Sequence, residues 1–340
     1  MSIAPATNKS SFYKTILRPV LFIIGLLFFI ALVIRSWAEI QDILQTLNWP
    51  LFLLSVLIAL VDNVLFSFLF QNLLTKYNFN IDYPRIGQMY FYGQMAKYIP
   101  GQFWAVLYHA TFLQRRGATS AMLFANSDLM AIVILRNVAI ALAIILFYRQ
   151  AWLAVIIFLL GSLGFWYLSK SCWISRIFQF IAGHFQSFKR HISPCETSGK
   201  NRTIWVISVC TWVTYLAANF LFMKAAFNFP TEQAALYIAY FSLAWVVGVI
   251  SLAVPAGIGI REITFIFLAQ SMGHEQALGV ETLAAIAIVY RFWHILLEFG
   301  GLGIGAFLSR FKQAQSGSEI YESSHLAHGE VRKNDKTHKG

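Results

Sequence analysis

Two arginines lie inside long apolar runs of this 340-residue chain, each at the same distance from a preceding proline. Arg136 follows Pro100 by 36 residues, and Arg291 follows Pro255 by 36 residues. An arginine at membrane depth is costly, so it usually faces protein or water rather than lipid. Because a guanidinium group binds phosphate through two parallel hydrogen bonds, these arginines predict a phosphate-binding cavity at the centre of the molecule.

Each arginine also has an acid on its own apolar run, which offers a second interpretation. Asp128 precedes Arg136 by eight residues, and Glu298 follows Arg291 by seven. On this interpretation each arginine pairs with its local acid and only holds the helices together. His294 lies four residues before Glu298 on the same helix face. These two residues predict either a proton relay or a structural hydrogen bond.

Both prolines belong to Pro/Gly breaks in hydrophobic sequence. Half-helices that begin at such a break present free N–H groups and a positive dipole end, which attract an anionic headgroup. The predicted substrate-binding residues at the breaks are Lys97, Pro100, Gly101, Gln102, Trp104, Pro255, Gly257, Gly259, Arg261 and Glu262. Alternatively, proline and glycine only make the turn, Lys97 extends to the membrane interface, and Arg261 and Glu262 neutralise each other.

The composition identifies an integral membrane protein. The chain is 58% hydrophobic and only 12% charged, whereas a soluble domain has roughly 25% charged residues. The net charge is +11, and the lysines and arginines flank the apolar runs. This placement favours contact with anionic lipid rather than with nucleic acid. The sequence has no phosphate loop, HExxH zinc motif or nucleophile elbow, and its three cysteines lack metal or redox spacing. We therefore expect no enzyme activity, no cofactor and no metal site.

Six apolar runs near twenty residues long predict membrane-spanning helices. They lie at about 16–35, 50–74, 119–148, 151–168, 204–226 and 281–309. The segment 85–114 is broken at Pro100 into two arms of roughly 22 Å each, too short to cross about 30 Å of hydrocarbon. This segment predicts a re-entrant helical hairpin. The segment 234–271, broken at Pro255, predicts a second hairpin whose longer first arm could span the membrane.

The two broken segments belong to an internal repeat. The stretches that begin at Ile99 and Val254 read as copies, 155 positions apart. We predict an all-α polytopic bundle built from an inverted repeat, and paired broken segments of this kind indicate a transporter binding site. Repeat one covers about 50–148 and repeat two about 204–309. Both lie in a single transmembrane domain at 1–310, followed by a disordered tail at 311–340.

The distribution of lysine and arginine predicts the orientation. The loop 169–203 carries six of them against one acid, so the positive-inside rule puts this loop and both termini in the cytoplasm. The first hairpin then opens to the cytoplasm and the second to the outside. Within the second apolar run, Asp62 and Asn63 predict either a cation or proton site or, as we favour, an interhelical hydrogen bond.

An ordered set of short motifs covers most of 85–305: KYIPGQFW, LQRRG, SDL, VPAGIGIRE and GGLGIG. In this set the chain resembles the transmembrane region of the lysylphosphatidylglycerol synthase/flippase family. The resemblance implies an eight-helix-type broken-helix bundle that moves lipid headgroups between leaflets. By the same resemblance, the residues that lie in the family's characteristic motifs are Pro100, Gly101, Pro255, Gly257, Arg261, Glu262 and Arg291. Full-length synthases carry a further soluble aminoacyltransferase domain, so we expect translocation without lysyl transfer.

These features together predict a lipid translocase of the bacterial inner membrane. Its expected substrate is an anionic phospholipid or lipid-linked headgroup, and its expected partners are membrane lipids and enzymes of envelope lipid or glycan synthesis. The main alternative is a proton- or ion-coupled carrier of small solutes that uses Asp62, His294 and Glu298. A membrane enzyme acting on lipid carriers and a scaffold without transport activity are further alternatives.

Overall fold

The structure is a computed structural model. It describes residue 27 and residues 30–77, 79–95, 118–149, 151–170, 201–251, 257–271 and 278–337; within these ranges only the backbone is described at 118–120, 151, 165–170, 201 and 311–337. Several predicted site residues lie outside the described residues, namely Lys97, Pro100, Gly101, Gln102, Trp104 and Pro255. Most of the first predicted span, 16–35, lies outside them as well.

The described ranges contain helices and no strand. In chain order the helices are α1 (Trp37–Gln45), α2 (Trp49–Lys76), α3 (Tyr83–Met95), α4 (Ala118–Phe147), α5 (Ala151–Lys170), α6 (Asn201–Phe227), α7 (Thr231–Ile250), α8 (Ile260–Ser271) and α9 (Val280–Thr337). Five helices, namely α2, α4, α6, α7 and α9, are long and apolar enough to cross a membrane. The prediction of an all-α polytopic membrane protein is therefore confirmed.

Helices α7 and α9 can be compared with the segment boundaries predicted from the sequence. Helix α7, predicted as the longer first arm of the second hairpin, has 20 residues, which is roughly 30 Å of helix and enough to cross the hydrocarbon. The helical backbone of α9 continues through 311–337, the segment for which disorder is predicted, and the disorder stays a prediction. Helices α3 and α8 are the short arms, with 13 and 12 residues.

The long helices form where uninterrupted apolar sequence follows a cap. Asn48 accepts a hydrogen bond from the Leu51 N–H at the start of α2, and Pro50 occupies its first turn, where the missing N–H costs nothing. Beyond the cap, most residues of α2 are apolar, including those on the side that faces away from the protein. Leu53 and Leu57 are exposed on the side of the molecule that lipid would cover, while its other side packs against protein.

Helices α2 and α6 form an antiparallel pair. The Asn48 N–H, at the start of α2, donates to the Ala225 carbonyl near the end of α6, at 2.9 Å. Half-way along the pair, the Thr214 hydroxyl of α6 donates to Asp62 of α2, at 2.6 Å. These are the first helices of the two predicted repeats, and their antiparallel arrangement is the one that an inverted repeat requires.

The remaining helices pack across the repeats in an equivalent way. Helix α3 of repeat one packs on α9 of repeat two, and α7 of repeat two packs on α4 of repeat one. Helix α3 begins near the end of α2, while α7 begins near the end of α6 at the opposite end of the molecule. The arms before the two breaks thus enter from opposite ends, as an inverted repeat requires.

Candidate functional site

A cavity of about 380 Å³ lies between the two repeats. Its walls come from α2, α3 and α4 of repeat one and from α6, α7, α9 and the start of α8 of repeat two. The volume lies near the lower end of the range for small-molecule sites. Seven predicted site residues line it: Arg136, Gly257, Arg261, Glu262, Arg291, His294 and Glu298. Gly259 is not part of the lining, but its backbone N–H donates to Glu262, which is.

Arg136 is held at the crossing point of three helices. Its side chain is 6% exposed, and its Nη1 lies 3.5 Å from Asp62 Oδ2 on α2 and 3.3 Å from the Thr211 carbonyl on α6. The guanidinium carbon lies 4.2 Å from the centre of the Tyr215 ring and 4.8 Å from that of Phe66, within the range of cation–π attraction. These contacts fix the guanidinium plane against the cavity wall.

The acid that pairs with Arg136 is therefore Asp62, and the assignment of Asp128 to this role is wrong. Eight residues along a helix separate Asp128 from Arg136 by about 12 Å. Asp62 also accepts the Thr214 hydroxyl hydrogen bond, which confirms the interhelical hydrogen bond that we favoured for this residue. Asn63, its neighbour, lines the cavity.

Asp128 belongs to a separate buried cluster at the far end of α2. Its carboxylate accepts hydrogen bonds from Lys76 Nζ, at 2.9 Å, and from the Tyr77 hydroxyl, at 2.8 Å. Lys76 is 2% exposed, so the pair is buried and joins α2 to α4. Burial, and after it the Asp128 charge, raises the pKa of the Tyr77 hydroxyl, which keeps it protonated as a donor. This cluster is structural and lies outside the cavity lining.

Arg261 passes through a slot between two glycines. A Cβ atom on Gly248 of α7 would lie 2.5 Å from Arg261 Cγ, and one on Gly257 would lie 2.8 Å from Arg261 Nε. Gly257 also has φ +66°, which a residue with a side chain rarely adopts. The guanidinium lies 5.6 Å from the Trp245 ring centre. Gly257 therefore leaves room for this arginine in a backbone conformation that favours glycine.

Glu262 caps the helix that carries Arg261. Its carboxylate accepts a hydrogen bond from the Gly259 backbone N–H, at 2.7 Å, and the side chain is buried. A glutamate three residues into a helix that binds the capping N–H satisfies a donor the helix itself cannot pair. Gly259 thus contributes a backbone donor to Glu262. The cap fixes the start of α8, and with it Arg261, against the cavity.

Arg291, His294 and Glu298 share the cavity face of α9. Arg291 is 8% exposed. Nδ1 of His294 lies 3.0 Å from the Tyr290 carbonyl of its own helix, which fits the structural hydrogen bond, with a backbone partner in place of Glu298. The Tyr290 hydroxyl in turn donates to Asn219 Oδ1 on α6, at 2.6 Å. A proton relay through His294 and Glu298 stays a prediction.

Sequence reasoning missed most of the neutral polar lining. Four carboxamide side chains beyond Asn63 line the cavity: Gln94, Asn126, Asn137 and Asn219. The eleven-residue separation of Asn126 and Asn137 is about three helical turns, so their common face could have been found from spacing. Gly248 could not, because its role depends on the approach of Arg261 in three dimensions.

Comparison with known proteins gives one family. The model of the lysylphosphatidylglycerol synthase TM region matches residues 17–298. The match includes all the described cavity helices up to Glu298. No curated protein matches the chain.

Proposed function

The chain belongs to the lysylphosphatidylglycerol synthase transmembrane family, and from this premise and the central cavity we propose that it is a lipid translocase. Its substrate is a phospholipid or lipid-linked molecule with an anionic headgroup, which it moves between the leaflets of the inner membrane. We further propose that both termini are cytoplasmic and that the end of the fold carrying Lys76 and Arg85 faces the cytoplasm.

The observation that carries this proposal is that three arginines from the two repeats line one cavity. Arg136 comes from repeat one, and Arg261 and Arg291 come from repeat two. Arginine in a site of low dielectric favours a phosphate, which it can bind through two hydrogen bonds. Two of the nearby carboxylates have partners within the protein, since Asp62 accepts from Thr214 and Glu262 from Gly259.

The cavity size and the packing of the repeats support translocation of the headgroup alone. A volume of about 380 Å³ suits one headgroup and excludes two acyl chains, which would stay in the surrounding lipid. Each repeat packs its short arm on the last helix of the other, as α3 does on α9 and α7 on α4. Rocking one repeat against the other would then open the cavity first to one leaflet and then to the other.

The test is headgroup translocation in proteoliposomes with a fluorescent phosphatidylglycerol, followed by dithionite quenching of the outer leaflet. We expect Arg261→Gln and Arg291→Gln each to lower the rate roughly 10- to 100-fold, because each removes a charge-assisted hydrogen bond to the phosphate. Arg35→Gln is the matched control. Arg35 is 72% exposed and pairs with Glu281 outside the cavity, so this variant should retain the wild-type rate.

Thermal unfolding in detergent separates loss of transport from loss of folding. A double variant, Arg261→Gln with Arg291→Gln, that unfolds like the wild type and still translocates lipid at full rate would contradict the proposal. Proton-driven uptake of a soluble anion, without lipid movement, would instead support the small-solute carrier.

A further inference from the structure

The cavity reaches the surface of the molecule along α4. Asn126, Met130, Val133 and Asn137 line it as one stripe of this helix, because residues three or four apart share a helix face. Asn137 is 2% exposed, whereas Met130 is 45% exposed. No other described residue of the lining is as exposed as Met130. The cavity is therefore closed around Asn137 and open beside Met130.

Helix α7 lies opposite Met130 at the same depth. The two helices pack on each other, and the Glu232 carboxylate at the start of α7 lies within electrostatic range of the Tyr148 hydroxyl just after α4, so they run antiparallel. Met130 precedes Tyr148 by 18 residues and Val249 follows Glu232 by 17, which corresponds to roughly 27 and 26 Å of helix. Val249 also lines the cavity. The opening therefore lies between Met130 of α4 and Val249 of α7.

This opening faces hydrocarbon rather than water. Met130 lies nine residues inside the apolar span Ala121–Phe147, roughly 14 Å from its first residue. The span is about 40 Å long and exceeds the hydrocarbon by about 5 Å at each end, so Met130 lies about 9 Å below the hydrocarbon boundary. Val247 and Ile250, close to Val249 on α7, are 43% and 64% exposed. A molecule that enters here must carry an apolar part.

Stacked aromatic rings lie at the opposite end of the cavity. The Phe241 ring stacks on those of Phe265 and Tyr290, with the ring centres 3.8 Å apart in both pairs. Phe241 and Tyr290 line the cavity, and all three rings belong to one buried core cluster. Phe241 lies eight residues, roughly 12 Å, nearer to the start of α7 than Val249 does. The described part of the cavity therefore leads away from these rings, towards the half of the membrane in which α4 begins.

We propose that the space between α4 and α7 at Met130 and Val249 is a lateral portal. The acyl chains of the bound lipid extend through it into the membrane while the headgroup occupies the cavity. The portal serves the leaflet next to the end of the fold that carries Lys76. The unbranched side chain of Met130 can adapt its shape to a lipid chain. This inference rests on the proposed function, since it gives the route by which a lipid reaches the same cavity.

Photocrosslinking tests which lipid lies at the portal. Benzoylphenylalanine replaces Met130 or, in the matched control, Leu142, which lies on the same helix, is 38% exposed and is not part of the described lining. The full-length variants are reconstituted in phosphatidylcholine with a minority of phosphatidylglycerol, and the crosslinked lipid is identified by mass spectrometry. At position 130 we expect phosphatidylglycerol to be enriched roughly tenfold over its share of the vesicle, because its headgroup is held in the cavity. At position 142 we expect no enrichment.

A bulky side chain tests whether transport uses the portal. Met130→Trp narrows the opening and should lower the rate of phosphatidylglycerol translocation roughly tenfold, because the ring opposes a lipid chain as overpacking does in a protein core. Leu142→Trp adds the same ring at a lipid-facing position and should retain the wild-type rate. Thermal unfolding in detergent checks that both variants fold.

The outcomes separate this inference from the translocase proposal. Equal phosphatidylglycerol shares at positions 130 and 142, while the wild type translocates this lipid, would overturn the portal and leave the translocase standing. Full-rate translocation by a folded Met130→Trp variant would do the same. If Met130→Trp does not fold, the crosslinking comparison decides alone. If the wild type moves no phosphatidylglycerol and instead takes up glycerol 1-phosphate, the translocase proposal fails, and the portal fails with it.

Discussion

Gly248→Ala should impair transport without destabilising the protein. The added Cβ would lie 2.5 Å from Arg261 Cγ and 2.7 Å from its Nε, which is closer than real Cβ atoms approach. The Cγ atom is near the root of the side chain, so a rotation at the tip cannot relieve the contact. Arg261 must leave the slot, and its guanidinium moves away from Trp245 and from the position that we propose for the phosphate.

The effects on stability nearly cancel. Alanine in place of glycine within α7 stabilises the helix by up to about 1 kcal/mol. Loss of the stacking between Arg261 and Trp245 costs about 0.5–2 kcal/mol. The unfolding free energy should therefore change by about 1 kcal/mol or less. Headgroup translocation should fall roughly 10- to 100-fold, because a charge-assisted hydrogen bond to the anion is lost.

Two further variants make the assay decisive. Gly303→Ala introduces the same substitution into α9 at a position where a Cβ would meet nothing within 4 Å, so it should stabilise the protein slightly and leave transport unchanged. Gly248→Ala with Arg261→Gln should behave like Arg261→Gln alone, because both changes act through one side chain. Additive losses in the double variant, or wild-type transport by Gly248→Ala, would refute the reasoning.

Two other predictions concern folding and topology. Lys76→Met leaves the buried Asp128 carboxylate without its ion-pair partner, so it should lower the free energy of unfolding by about 3–5 kcal/mol. In equilibrium unfolding, the double variant Lys76→Met with Asp128→Leu should recover most of this loss. If it recovers nothing, the broken ion pair is not the cause of the destabilisation. In a background without native cysteines, an impermeant maleimide should label Asn80→Cys and Thr231→Cys from opposite sides of the membrane. Labelling of both variants from the same side would contradict the inverted arrangement.

Sequence reasoning predicted the cavity arginines because the cost of a buried charge is visible in the chain itself. Arg136 and Arg291 interrupt apolar runs, and few arrangements other than a central polar cavity can accommodate them. The partner of Arg136 was not predictable in this way. Asp62 is 74 residues away from it along the chain, and only the packing of α4 against α2 and α6 decides between this acid and the nearer Asp128.

The positions of the helices along the chain were predicted more accurately than the contacts between them. The runs at 50–74, 119–148, 204–226 and 281–309 correspond to α2, α4, α6 and α9 within a few residues, because the length of an apolar run is set by membrane thickness. The inverted repeat followed from the spacing of the breaks. The cross-packing of α3 on α9 and of α7 on α4 required the structure, since sequence spacing gives no information on which repeat covers which.

The two repeats place their equivalent arginines in different surroundings. Arg136 contacts Asp62 and Thr211 where α2 and α6 cross, so it stabilises the centre of the antiparallel pair about which the repeats would rock. Arg291 lies on α9 beside the turn bearing His294, on the wall formed by repeat two. A symmetric site would bind a headgroup equally in two opposite orientations. Arg136 is ion-paired with Asp62 in the framework, whereas Arg291 lies beside His294 on the wall of repeat two, so the two repeats do not present equivalent surfaces to the cavity.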